Sequence, residues 1–163
     1  MDFRINFIEI RWSYIATNLL GKSLTFVFCH NLDYQFFNRY FQLLHECFQD
    51  YCEQWSFLKE EFKDRFHSGP FNVQRYEIGD HFSGLHAERV SFTSIHRIFA
   101  WMTYLNDVTE GGETEFPNYG LKISPVAGKT LIWPAEWTHA HRGCITRSSK
   151  KYIVTGWLHL APR

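Results

Sequence analysis

TLIWPAEWTHAHRGCITRSSKKYIVTGWLHL, residues 130–160, holds three short strand-like runs, "TLIWP", "WTHAHRG" and "KKYIVTGWLHL", cut apart by proline, glycine and serine. The last is rich in the β-branched and aromatic residues that suit a pleated surface. The texture extends upstream. From residue 70 onward "FNVQRY", "GLHAERV", "HRIFAWMTYLN", "ETEFP" and "LKIS" precede those three runs, each bounded by Gly, Pro, Asn or Asp. Eight short strands in so brief a span point to an antiparallel sandwich, barrel or jelly roll.

The first 69 residues read differently. "FRINFIEI" (3–10) and "LTFVFCH" (24–30) suggest two further strands. Asn31 and Asp33 are candidate helix caps. From Phe36 through Phe37, Tyr40, Phe41, Leu44, Cys47, Phe48, Tyr51, Trp55, Leu58 and Phe62, apolar residues recur mostly at threes and fours. That spacing predicts an amphipathic helix, broken once, which ends before "SGP" at 68–70 and packs its aromatic stripe on the sheet. The expected architecture is a single domain over 1–163, mostly β. An N-terminal helical support (1–69) would cover a double-stranded β-helix, a cupin-like jelly roll, over 70–160.

Composition narrows the function classes. The chain has 163 residues, and 17 basic residues balance 17 acidic ones. Nothing resembles a polyanion-binding surface, so nucleic acid is not expected as a partner. No apolar run of about 18 residues or leader-like segment is visible, so no membrane association and a cytoplasmic location are expected. Cys29, Cys47, Cys52 and Cys144 form no CxxC pair and read as free thiols.

Nine histidines are present. His86 and Glu88, in "HAE", lie two apart on an expected strand and so face the same side. His139 and His141, about fifty residues later, each offer a third ligand. Two imidazoles and one carboxylate with open positions form the facial triad of non-haem Fe(II) oxygenases. On the last strand Lys151, Ile153, Thr155 and Trp157 share one face, and Lys150, Tyr152 and Val154 the other. If "GCITRSS" is a hairpin loop centred on Thr146, His141 lies opposite Lys151 and His139 opposite Ile153. A lysine aimed at a metal cavity calls for an anionic partner, which a dicarboxylate cosubstrate supplies.

The motifs "RYEIGDHFSGLHAER", "RIFAWMTYLND", "GGETEFP", "GLKISPVAGKTLIWP", "HRG" and "KYIVTGW" together resemble the prolyl 4-hydroxylase-like branch of the 2-oxoglutarate/Fe(II)-dependent dioxygenases over roughly residues 70–160. The resemblance implies His86, Glu88 and His141 as metal ligands and catalytic residues. Glu88 departs from the aspartate commoner there. His141 is preferred to His139 because in this family the second histidine precedes the cosubstrate lysine or arginine by nine or ten positions. His139 would orient a ligand. The resemblance further implies that Lys151 pairs with the far carboxylate of 2-oxoglutarate, that Tyr76 and Tyr104 offer it hydroxyls, and that Thr114 belongs to the same pocket. Phe82, Met102, Trp133 and Trp157 would keep the site dry. Arg97 reads as structural, and His81, His96 and His159 as non-ligands.

The implied chemistry is oxidative decarboxylation of 2-oxoglutarate to succinate and CO2, coupled to hydroxylation of an unactivated C–H bond. Fe(II) and 2-oxoglutarate are the expected cofactor and cosubstrate, with ascorbate optional. O2 and a peptide, protein or small molecule are the partners, a prolyl residue among the candidates. The segments 89–96 and 106–120 are candidate lids. The alternatives are a catalytically inactive relative or a non-iron metal-binding jelly roll acting as a binding module.

Overall fold

The computed structural model describes residues 6–9, 27–28, 34–62 and 65–160, with backbone alone at 6–9, 27–28 and 34–36. The elements are β1 (Asn6–Glu9), β2 (Val27–Phe28), α1 (Tyr34–Glu53), α2 (Ser56–Glu61), β3 (Phe66–Tyr76), β4 (Arg97–Tyr104), β5 (Thr114–Phe116), β6 (Leu121–Ile123), β7 (Lys129–Pro134), β8 (Arg142–Gly143) and β9 (Lys151–Leu160). The strands form a six-stranded sheet in the order β1-β7-β4-β9-β3-β2 and a three-stranded sheet in the order β6-β5-β8. All pairings are antiparallel. Among the described residues no helix is long and apolar enough to cross a membrane.

Period-two alternation sorts the large sheet's side chains into two layers. Phe99 and Trp101 of β4, Ile132 of β7, and Val154 and Leu158 of β9 point to the outer face, where α1 lays down Phe37, Tyr40, Leu44, Cys47, Phe48 and Tyr51. Those helix positions recur at threes and fours, which explains why this stripe is helical and why it is buried. Ala100, Met102 and Tyr104, with Leu131, Trp133 and Ile153, point inward and pack with Phe116 and Ile123 of the small sheet. The helix breaks at Gln54–Trp55, as its pattern implies. The caps read at Asn31 and Asp33, and most of the two N-terminal strand runs, lie outside the described residues; β1 and β2 fall within those runs.

Trp101 anchors the outer layer. It is fully buried, with ring centroids 5.7 Å from Tyr40 and 6.2 Å from Phe41. A Cβ on Gly156, its cross-strand partner, would lie 2.6 Å from the Trp101 ring. Trp101→Ala is therefore expected to lower unfolding free energy by about 3–5 kcal/mol in urea titration. The metal site described below lies on the opposite face of the sheet, so its affinity should change far less.

Four expectations are corrected. "SGP" does not precede the sheet: β3 runs through it from Phe66, and the register with β9 shifts between Ser68 and Phe71, a bulge that absorbs Pro70, which lacks a ladder donor. "GLHAERV" forms no strand but contributes a single bridge, His86 to His141. "WTHAHRG" is a 3-10 turn over Trp137–His139 followed by the two-residue β8, so His139 and His141 share no strand face. "GCITRSS" is not a hairpin loop. β8 pairs with β5 in the small sheet, whereas β9 lies between β4 and β3 in the large one. Lys151 is opposite Tyr76, not His141. The crossover is pinned by Thr146, whose hydroxyl donates to the Glu77 carbonyl at 2.6 Å. Consecutive strands of a jelly roll commonly change sheets, and local sequence around the connection does not reveal it.

Candidate metal centre

His86 and His141 exchange both backbone hydrogen bonds, at 3.1 and 2.9 Å. This bridge sets their rings side by side, with centroids 4.3 Å apart. The backbone N–H groups of Glu88 and Arg89 both donate to the Ala135 carbonyl, fixing the loop that carries Glu88. The Glu88 Oε1 atom then lies 3.4 Å from His86 Nε2 and 3.5 Å from His141 Nε2. Among the described residues this trio is the one group of three or more His, Cys, Asp or Glu side chains close enough to share an ion.

The tautomers follow from the other ring nitrogens. His86 Nδ1 lies 2.8 Å from the Gly84 carbonyl, and His141 Nδ1 lies 3.1 Å from the His139 carbonyl. A carbonyl oxygen only accepts, so each Nδ1 carries a proton and donates. Each Nε2 thereby faces a carboxylate oxygen, close enough for one metal ion to be shared among the three side chains. Backbone carbonyls commonly orient metal-ligating histidines in this way. Burial alone would push the Glu88 carboxyl up, but hydrogen bonds from His141, His86 and Trp157 outweigh it and hold it well below the usual carboxylate range. Burial lowers the His86 imidazole, but Glu88 and backbone carbonyls more than offset it, so its pKa is raised. Two imidazoles and one carboxylate, held close and oriented, suit Fe(II).

His139 takes a different part from the one its sequence position suggests. Its ring packs against Tyr119, 5.0 Å away, and its side chain contacts Thr138. It orients His141 through its backbone carbonyl rather than through its imidazole.

The trio opens on a pocket of about 230 Å³ between the two sheets. Phe82, Met102, Trp133 and Trp157 line it, as do Thr114 and Tyr76. Lys151, only 3 % exposed, reaches the same pocket from β9. Its ammonium donates to the Gly112 carbonyl at 3.1 Å and lies 4.5 Å from the Tyr76 ring centre. It forms no ion pair with a carboxylate of the described residues, and burial pushes its pKa down to about 8. Gly112 has φ +71°, and a Cβ there would meet Thr146 at 3.1 Å and the Lys151 stem at 3.4 Å, so only glycine suits this close approach. Lys150 points outward to Glu77, as the alternation implies.

The two tyrosines are placed differently. Tyr76 lines the pocket, its hydroxyl donating to Gln74 at 2.6 Å. Tyr104 is fully buried behind the wall, its hydroxyl bonded to Thr114 at 2.7 Å and donating to the Ile123 carbonyl at 3.0 Å. It reaches the pocket through Thr114. The sequence reading missed the other side of Glu88. Trp157 donates its indole N–H to Oε2 at 2.7 Å, and Arg97 lies 3.6 Å from the same oxygen. The alternation of β9 put Trp157 on the pocket face, but no local pattern announces either contact.

Comparison with known proteins agrees with this geometry. The family model described as the 2OG-Fe(II) oxygenase superfamily matches residues 71–159. The chain is 30% identical to probable prolyl 4-hydroxylase 9 of Arabidopsis thaliana, over 58% of this chain and 42% of that protein. It is 30% identical to human prolyl 4-hydroxylase subunit alpha-1 over 39% of this chain and 13% of that one. The chain thus spans less than half the length of these curated relatives. Among solved structures, the viral collagen prolyl hydroxylase of Paramecium Bursaria Chlorella virus-1, in its 2OG complex, superposes with a TM-score of 0.55 at 22% identity over 74% of each chain. A prolyl 4-hydroxylase structure from Phytophthora capsici gives 0.61 at 16% identity, over 90% of this chain and 51% of that one. At such identities these likenesses speak for the double-stranded β-helix fold alone. The family match covers more than half of the sequence, and with it the chain belongs to the 2OG-Fe(II) oxygenase superfamily.

Proposed function

We propose that the chain is a 2-oxoglutarate- and Fe(II)-dependent dioxygenase, with a prolyl residue of a peptide or protein as the first substrate class to test. The observation that carries this reading is the convergence of His86, Glu88 and His141 on one pocket with a buried lysine that has no carboxylate partner among the described residues. His86, Glu88 and His141 would hold the metal. Bound there, Fe(II) with 2-oxoglutarate and O2 supplies oxidative decarboxylation to succinate and CO2 and hydroxylation of a substrate C–H bond.

The protein's own contribution is positional. Lys151 pairs with the far carboxylate of the cosubstrate; Thr114 lines the same pocket but gives its proton to Tyr104, whose own hydroxyl donates to the Ile123 carbonyl, so Thr114 must turn before it can donate there. The hydroxyl of Tyr76, already given to Gln74, must turn to reach the same carboxylate; in its present position its ring shields the ammonium. Met102 and Trp133, both buried, exclude water, which strengthens these polar contacts, whereas Phe82 is exposed and packs against the His86 ring. Asn72 and Gln74 on the β3 wall offer amide donors and acceptors to a peptide backbone. Glu88 reaching both imidazoles weighs against the alternative of an inactive binding module.

The test has two stages. Metal-free protein is titrated anaerobically with Fe(II) and then 2-oxoglutarate, and the visible metal-to-ligand charge-transfer band is followed. Air, ascorbate and proline-rich peptides are then added and succinate is measured. A band with peptide-stimulated succinate supports the proposal. A band without stimulation by any peptide sinks the prolyl assignment but keeps the cofactors. No band in folded protein sinks both.

A further inference from the structure

A glutamate ligand has one more torsion than an aspartate and can turn both oxygens toward a metal, which consumes a second coordination position. The surroundings of Glu88 oppose that turn. Oε1 faces the two imidazoles, while Oε2 is held from behind by the Trp157 indole N–H at 2.7 Å and by Arg97 at 3.6 Å. Arg97 also donates to the Glu88 main-chain carbonyl at 3.4 Å, and its guanidinium lies 3.6 Å from the centre of the Trp157 ring. Indole, guanidinium and carboxylate thus form one closed set of contacts. β4 and β9, adjacent strands of the large sheet, supply the first two. Among the described residues Arg97 Nε is buried without a hydrogen-bond partner, an arrangement with a desolvation cost. Its stacking on Trp157 and its two contacts to Glu88 are what offset that cost.

We propose that Trp157 and Arg97 are positioning residues that confine Glu88 to one-oxygen coordination, so that the longer carboxylate leaves the remaining metal positions open. The proposal rests on the metal-centre reading above. It gives the Glu-for-Asp departure a physical counterpart elsewhere in the chain. A glutamate serves here because its outer oxygen has a fixed donor.

The probe is Co(II) alone, titrated into metal-free protein, with affinity and visible absorption both recorded. Trp157→Phe removes the N–H but keeps a ring beneath Arg97. Its Co(II) affinity is expected to fall about 10- to 100-fold, the usual range for loss of a group that orients a ligand. The absorption bands should change intensity as Glu88 gains freedom, while the melting temperature of the metal-free protein stays close to wild type. Arg97→Gln, run in parallel, should shift both readouts the same way. In a Glu88→Asp background, whose carboxylate is too short to keep both sets of contacts, Trp157→Phe should have little further effect, and the double-mutant cycle should be strongly non-additive. Unchanged affinity and spectrum in both single variants, or equal effects of Trp157→Phe in the two backgrounds, would overturn the proposal. Failure of the wild type to bind Co(II) through His86 and His141 would instead sink the metal centre itself.

Discussion

His141→Ala is expected to abolish the Fe(II)/2-oxoglutarate charge-transfer band and to weaken Co(II) binding by more than about 100-fold, beyond the range seen when a group that merely orients a ligand is lost. His139→Ala, two residues away, should leave the band in place and shift affinity by far less. The contrast follows from geometry. His141 Nε2 is 3.5 Å from Glu88 Oε1, whereas the His139 ring is turned toward Tyr119. What His139 gives the site is its carbonyl, which accepts from His141 Nδ1, and alanine keeps that carbonyl. The His141 ring is also packed 4.9 Å from Trp133 and 5.3 Å from Phe116, so alanine would leave a void. His141→Gln, closer in volume, separates loss of the ligand from loss of packing. If His139→Ala lost the band and His141→Ala kept it, the arrangement of the 3-10 turn would be wrong.

The parts of this site that were legible in the sequence are those governed by local periodicity. Alternation along "KKYIVTGWLHL" places Lys151, Ile153, Thr155 and Trp157 on the pocket side, and the structure lines the pocket with all four. The threes and fours of α1 foretell the helix face that covers Phe99 and Trp101. The two-residue spacing of His86 and Glu88 brings both side chains together, although by a bridge within a loop rather than by a strand. Legibility ends where the chain changes sheets. Period two tells which face a residue takes, not which sheet its strand joins, and β8 has only two residues to carry any signal. The hairpin reading placed His141 opposite Lys151 for that reason. Both residues do reach one pocket, but from opposite sheets. Polar tips are harder still. The Trp157 indole meets a carboxylate 69 residues away, and Tyr104 spends its hydroxyl on Thr114 and Ile123 instead of on the pocket. Such contacts depend on how sheets approach one another, and no local pattern encodes that.

Lys151→Met should produce two opposite effects, and their combination tests the site most severely. Affinity for 2-oxoglutarate, measured on the Co(II)-loaded protein, should fall by about 2–4 kcal/mol, roughly 30- to 1,000-fold, because a buried carboxylate loses its charged partner. At neutral pH the ligand-free variant should nevertheless be more stable than wild type. The Lys151 ammonium is buried against a carbonyl and an aromatic ring, and burial pushes its pKa down to about 8 from 10.5. Between pH 8 and 10.5 the unfolded chain therefore binds the extra proton, so this lysine's contribution to stability rises with pH across that window. Below about pH 8 both states are protonated and the full penalty of burying the charge applies. It is on the order of 3 kcal/mol from the shift. The stability advantage of Lys151→Met should accordingly be largest at pH 7 and shrink toward pH 10, in urea titrations of the two proteins side by side. Cosubstrate affinity of the wild type should run the other way. It should be flat below pH 8 and fall above it, because the carboxylate needs the ammonium form. A variant that gains stability while losing its ligand is the signature of a charge kept for binding at the fold's expense. If Lys151→Met were instead destabilised at neutral pH and bound 2-oxoglutarate as well as wild type, the lysine would be a packing element of the β9 wall, and the anionic end of the ligand would have to be sought elsewhere in the pocket.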